Sequence, residues 1–98
     1  MRLRLTFEAQ ADVRDARLWY RAQQSGLDRR FLNAVEVACE LLERNPELGS
    51  TVEGRIRRVL LRGFTYGVFY VIDSNEIVVI ACLHGARSPQ AWRRRGRP

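Results

Sequence analysis

The sequence predicts an α+β domain over residues 1–98: an N-terminal strand, an antiparallel helix hairpin packed on an antiparallel β-sheet, and a short C-terminal helix. Three observations lead there. The hydrophobic period changes from two residues to 3.6 near Phe7. Two amphipathic helical stripes then follow one another across a connection of a few residues. Three runs rich in β-branched and aromatic residues, IRRVLLR, YGVFYVI and EIVVIACL, come last, separated by the turn sequences RGFT and DSN. With 98 residues, 46% hydrophobic and 29% charged, the composition is that of one globular core and not of a disordered chain.

RLRLT opens the chain with Leu3 and Leu5 on one face and Arg2 and Arg4 on the other, as a half-buried strand does. From Phe7 a helical face forms through Ala9, Val13, Ala16, Tyr20 and Gln23, with Trp19 beside it and Asp12, Asp15 and Arg21 outward. Glu8 falls in the first turn, where the helix dipole favours an acid. Gly26 is expected to end this helix in a left-handed conformation. Asp28 is expected to cap the next one, with Leu27 and Leu32 as a hydrophobic staple. That second helix buries Phe31, Val35, Ala38 and Leu42, supported by Leu32 and Cys39, and leaves Glu36, Glu40, Glu43 and Arg44 in water. NPELGS stops it. A linker leads to a three-stranded meander whose last strand, nearly all apolar, is expected to be central. Ser88 and Pro89 read as N-cap and first residue of a terminal helix, PQAWRRR.

All 17 basic residues are arginine, and their distribution is uneven. Residues 1–50 hold eight arginines against eight acids. Residues 51–98 hold nine against Glu53, Asp73 and Glu76, so the whole net charge of +6 lies in the second half. A one-sided basic surface points to an anionic partner, either nucleic acid or an acidic protein segment. Cys39 and Cys82 lack metal or redox spacing and read as reduced core thiols. No apolar run is long enough to span a bilayer and no secretory leader is visible, so the expected location is cytoplasmic, without a membrane partner. Nothing in the pattern calls for a cofactor or a metal.

The ordered set ADVRDARLWY, GLDRRFLNAV, RRVLLRGFTYGVFYVID and IVVIACLHGARSPQAW resembles the RelE/ParE superfamily of type II toxins, nearly end to end. Its ending, with His84, Arg87, Pro89 and Trp92, is similar to the ParE branch. Ser88 stands where that branch usually has an acid, and serine caps a helix comparably. The resemblance implies a toxin neutralised by a co-encoded acidic, ParD-like antitoxin in a hetero-oligomer. It also implies one of two chemistries. ParE-like members poison DNA gyrase without being nucleases. RelE-like members cleave mRNA on the ribosome.

Cleavage of RNA through its 2′-OH needs a proton acceptor, cations for the phosphorane charge and an acid for the leaving oxygen. On this chain Arg58, Arg62, His84 and Arg87 are the residues such a reading would use, with Glu53 a conceivable partner for His84. Three departures weaken it. Gly67 replaces an arginine of the nuclease branch, Leu60 replaces a basic strand residue, and Trp92 replaces a terminal tyrosine. The expected function is therefore gyrase poisoning without catalytic residues, the nuclease being the alternative. HGARSPQAW is expected to act as a clasp with Trp92 as its anchor. Arg87, Trp92, Arg93, Arg94 and Arg95 form the expected target-binding surface. Direct nucleic-acid binding through RRRGRP ranks last, because no aromatic platform interleaves with it.

Overall fold

The computed structural model describes residues 1–96, so the part of the basic tail contributed by Arg97 and Pro98 lies outside the described residues. The elements are β1 (Arg2–Leu5), α1 (Phe7–Gln23), α2 (Leu27–Arg44), β2 (Ser50–Glu53), β3 (Ile56–Leu60), β4 (Tyr66–Asp73), β5 (Glu76–His84) and α3 (Gln90–Arg93), closed by a 3-10 turn at Arg94–Gly96. The strands form one sheet in the order β1-β5-β4-β3-β2. The expected meander is β3-β4-β5, but the sheet is larger and mixed. β1 runs parallel to β5, after a crossover through the helix hairpin and the meander, and β2 adds an antiparallel edge to β3. STVE carries no buried alternation, so only its pairing with β3 makes it a strand. β4 is the middle strand, with β5 beside it.

Both helices bury the stripes that their spacing sets. Ala9, Val13, Ala16 and Tyr20 of α1 and Phe31, Val35, Ala38 and Leu42 of α2 are buried, while Gln23 is exposed. Thr6, which the pattern did not single out, caps α1: its Oγ1 accepts the Ala9 N–H at 3.1 Å. Gly26 is left-handed as expected, at φ 87°, yet its role differs. α1 already leaves helical geometry at Gln24, and Gly26 is the residue that leads into α2. The second helix therefore starts at Leu27, and Asp28 lies within its first turn without capping it. There its charge faces the positive end of the helix dipole. The staple geometry is lost for the same reason, although Leu27 and Leu32 both pack against the core.

Two apolar layers sandwich the sheet. The hairpin covers Val68, Tyr70, Ile77, Val79 and Cys82, and the C-terminal segment covers Phe69, Val71, Val78, Ile80, Ala81 and Leu83 through Trp92. Burial on both faces is why EIVVIACL does not alternate. A bulge reverses its parity. Phe69 pairs with Ala81 and Tyr70 with Val79, so Ile80 is the extra residue. Ile80 and Ala81 both serve the Trp92 layer, and Cys82 returns to the hairpin side. Without the bulge His84, two residues on, would emerge on the other face.

The free side of β5 is finished by side chains. β1 pairs with β5 only as far as Val79, where Thr6 N–H takes the Val79 carbonyl at 3.0 Å. Beyond it, Cys82 N–H donates to Asp12 Oδ2 at 3.0 Å and Arg95 Nη1 donates to the Ile80 carbonyl at 3.1 Å. The two side chains meet at 2.7 Å. Asp12, expected outward, is thus turned in, because the strand edge needs an acceptor there. A second buried polar group is satisfied in the same way. Tyr70 donates to the Pro46 carbonyl at 2.6 Å and accepts Gly49 N–H at 2.9 Å, which pins the NPELGS turn to the sheet.

Candidate functional site

The segment after β5 is a tight turn held by the N–H groups of Gly85, Ala86 and Arg87. Gly85 N–H donates to the Thr65 carbonyl at 2.8 Å and Arg87 N–H to the His84 carbonyl at 2.9 Å. His84 Nδ1 accepts the Ala86 N–H at 3.0 Å, which leaves Nε2 as the ring nitrogen able to donate to a partner. The ring stands edge-on to Tyr66, centroids 5.5 Å apart. Ser88 Oγ accepts the Gln90 N–H at 3.4 Å, but the helix starts at Gln90, so Pro89 stands at the N-cap position expected of Ser88 and is not the first helical residue. The helix itself is shorter than PQAWRRR: one turn, then the 3-10 turn. The 3-10 turn brings Gly96 against Ile56, whose side chain a Cβ there would overlap. Trp92 is buried and stacks on Phe69 at 4.9 Å and 21°, as the clasp requires.

Burial removes Trp92 from direct contact with a partner and sorts the arginines around it. Arg95 is held by Asp12 and the Ile80 carbonyl, with Glu8 at 3.6 Å. Arg93 Nε lies 2.7 Å from Glu53 Oε2. Arg87 and Arg94 are exposed and outside any ion pair among the described residues. Glu53 therefore serves Arg93 on the far edge strand, and it is not the partner of His84.

The residues of the nuclease reading do not converge. Val59 faces the hairpin, while Ile56 and, two residues on, Arg58 face the Trp92 layer, opposite to His84. The stem of Arg58 runs over Gly67, whose missing Cβ would sit 3.1 Å from Arg58 Cγ and Cδ. Leu60 lies on the same face and is 63% exposed. Arg62 follows β3 and rims a groove of roughly 960 Å³ between α2 and β3, where Val37, Leu41 and Leu60 are exposed and Arg29 and Arg30 flank them. Only His84 and Arg87 meet, at a cavity of about 420 Å³ under α1 that Asp15, Trp19, Thr65 and Tyr66 also line. Burial raises the Tyr66 phenol above its usual value of 10, Arg87 opposing the shift.

The thiols are free, and burial holds both protonated: Cys39 is pushed up to about 11 and Cys82 to about 12. Trp19 and the α2/β3 groove are the surface features that sequence reasoning missed. An exposed indole beside a buried stripe was the available signal for the first. The groove had none, because its walls come from two elements remote in sequence. Among the described residues no helix is long and apolar enough to cross a membrane, and no group of three His, Cys, Asp or Glu gathers as metal ligands.

A family profile described as ParE toxin of type II toxin-antitoxin system, parDE, matches residues 3–89. Among solved structures, the chromosomal ParDE TA system from P. aeruginosa contains a similar chain, with TM-score 0.65 and 18% identity. The match covers 86% of this chain and 95% of that one. At that identity the likeness concerns the fold: strand, helix hairpin, sheet and C-terminal segment. No curated protein matches the chain.

Proposed function

This chain belongs to the ParE toxin family of type II toxin–antitoxin systems, and from that premise we propose that it poisons DNA gyrase without cleaving RNA, under control of an acidic antitoxin. The observation that carries the reading is the scatter of the nuclease residues. Arg58 sits on one face of the sheet, His84 and Arg87 at the end of the other, and Arg62 on the α2 groove. Phosphoryl transfer demands cations and a proton carrier around one phosphate, within hydrogen-bond reach of each other. Here no such constellation forms among the described residues.

The antitoxin belongs in the groove between α2 and β3. Its floor is apolar, and Arg29, Arg30 and Arg62 line its rim. That combination fits an acidic amphipathic helix, which lays apolar side chains at helical spacing into a groove and pairs its flanking acids with the rim. The described arginines left without an internal partner on the C-terminal turn, Arg87 and Arg94, are the best-placed contacts for gyrase.

His84→Gln tests the chemistry. Glutamine keeps a hydrogen-bond donor but cannot carry a proton in catalysis, and loss of a general acid or base slows a chemical step by about 10²–10⁴-fold. In a host without the antitoxin, His84→Gln should keep full toxicity. DNA breaks should appear in a gyrase cleavage assay, and mRNA should stay intact on translating ribosomes. Arg87→Ala with Arg94→Ala should abolish the breaks. Wild-type cleavage of ribosomal mRNA that His84→Gln eliminates would refute the gyrase reading.

A further inference from the structure

Phe7, Leu18 and Trp19 are the large apolar residues that α1 leaves exposed, and of these only Trp19 lines a cavity with His84 and Arg87. The buried stripe runs through Tyr20, and Trp19 lies one position off it, 56% exposed, its ring edge-on to Tyr20 at 5.0 Å. It overhangs the cavity of about 420 Å³ whose apolar floor is Ala16 and Cys82. We propose that this cavity receives an apolar anchor side chain from the protein target, beside an acidic residue of that target which Arg87 and Arg94 bind.

The proposal rests on the toxin reading and adds where the target docks and what it presents. Tryptophan, tyrosine and arginine carry most of the binding energy at protein interfaces, in pockets that exclude water on docking. Trp19, Tyr66 and Arg87 meet at this one rim. The volume lies at the small end of the ~300–1,000 Å³ range of ligand pockets, suited to one side chain. Tyr66 O–H and His84 Nε2–H supply donors for the backbone of whatever carries the anchor. Arg87 also belongs to a second depression that contains Arg94, so cavity and free cations form one continuous surface.

Charge decides between protein and nucleic acid. Asp12 and Asp15 line the cavity, and Glu8 lies further along the same helix. Arg95 pairs with Asp12 and approaches Glu8, but Asp15 stays exposed, 4.0 Å from Arg14. A phosphate backbone tracks a run of cations, and the exposed Asp15 carboxylate on the pocket wall disfavours it. The cavity and the α2/β3 groove share no lining residue, so target and antitoxin occupy separate places.

The test uses the full chain with Trp19→Ala and Trp19→Phe. Trp19 is half exposed, so both variants should keep the wild-type urea midpoint. Loss of an interface anchor weakens binding by about 30-fold, so Trp19→Ala should need correspondingly more protein for equal growth arrest in a host without antitoxin. Trp19→Phe should recover most of that. Affinity for the purified antitoxin should stay at the wild-type value. Equal toxicity of Trp19→Ala and wild type overturns the proposal, whatever the target is. A parallel loss of antitoxin affinity also overturns it, since the cavity then belongs to the antitoxin. Quenching of Trp19 emission by a short single-stranded oligonucleotide at micromolar concentration would reassign the cavity to nucleic acid. A wild-type chain that is not toxic is a different result: it removes the toxin reading itself, and this inference with it.

Discussion

Asp12 and Arg95 come from opposite ends of the chain and meet at 2.7 Å over the unpaired edge of β5. Their side chains are 12% and 16% exposed, so breaking the pair strands a charge away from water. Arg95→Ala should cost about 3 kcal/mol in urea unfolding. An ordinary buried pair is often replaced by apolar residues at little cost. This one is different, because it also satisfies Cys82 N–H and the Ile80 carbonyl. Asp12→Leu with Arg95→Met should therefore stay destabilised by about 1–3 kcal/mol, the cost of leaving those groups unpaired. A double variant as stable as wild type would show that the strand edge needs no cap. The thiols set a pH limit at the same scale. The unfolded chain ionises its cysteines near 9, while the folded chain holds Cys39 to about 11 and Cys82 to about 12. Between those values the unfolded state binds fewer protons than the folded one, so stability falls as pH rises above about 9. Burial of Tyr66 and Tyr70 adds in the same direction at higher pH. Urea midpoints at pH 7.5, 9 and 10.5 should decline in that order, and a flat series would contradict the shifts.

At the scale of the element, β5 and the segment behind it act together. The bulge at Ile80 turns two successive residues toward Trp92 and sends Cys82 and His84 to the hairpin side, so the strand both anchors the clasp and presents the cavity wall. Trp92 fills the second layer against Phe69. Trp92→Ala should cost about 3–5 kcal/mol, the usual penalty for truncating a buried aromatic. The two tryptophans should also part in iodide quenching: Trp19 emission accessible, Trp92 emission protected. Replacing Trp19 by Phe should leave a protected signal only. Free quenching of that remaining signal would mean that the clasp is open in solution.

For the whole molecule, charge and groove together predict how the antitoxin binds. A partly disordered acidic segment that folds into the α2/β3 groove should bury roughly 1,000–3,000 Å² and give a negative heat-capacity change in calorimetry. Leu41→Glu should abolish that binding, because it places a charge on the apolar floor, yet it should leave toxicity intact. Binding that vanishes with salt and shows no heat-capacity change would mean a charge-only association, contrary to the groove's lining.

Local pattern was enough for every strand and helix except β2. The buried stripes of both helices, the three meander strands, Trp92 as an anchor and the free thiols all follow from the period and type of neighbouring residues, which one chain segment expresses by itself. So does the segregation of charge. Boundaries depended on a few backbone angles: α1 ends at Gln24, which passed Gly26 to the entry of α2 and Asp28 into its first turn. Everything that needed two remote segments was settled by tertiary structure. The parallel pairing of β1, the edge strand β2, the inward turn of Asp12 and the pairing of Glu53 with Arg93 each join residues that no local period relates. The candidate sites belong to this second kind. His84 and Arg87 lie four and seven positions on from Ile80, where a single bulged residue decides the face on which β5 delivers them. Trp19 becomes a rim only because that face lies beneath α1.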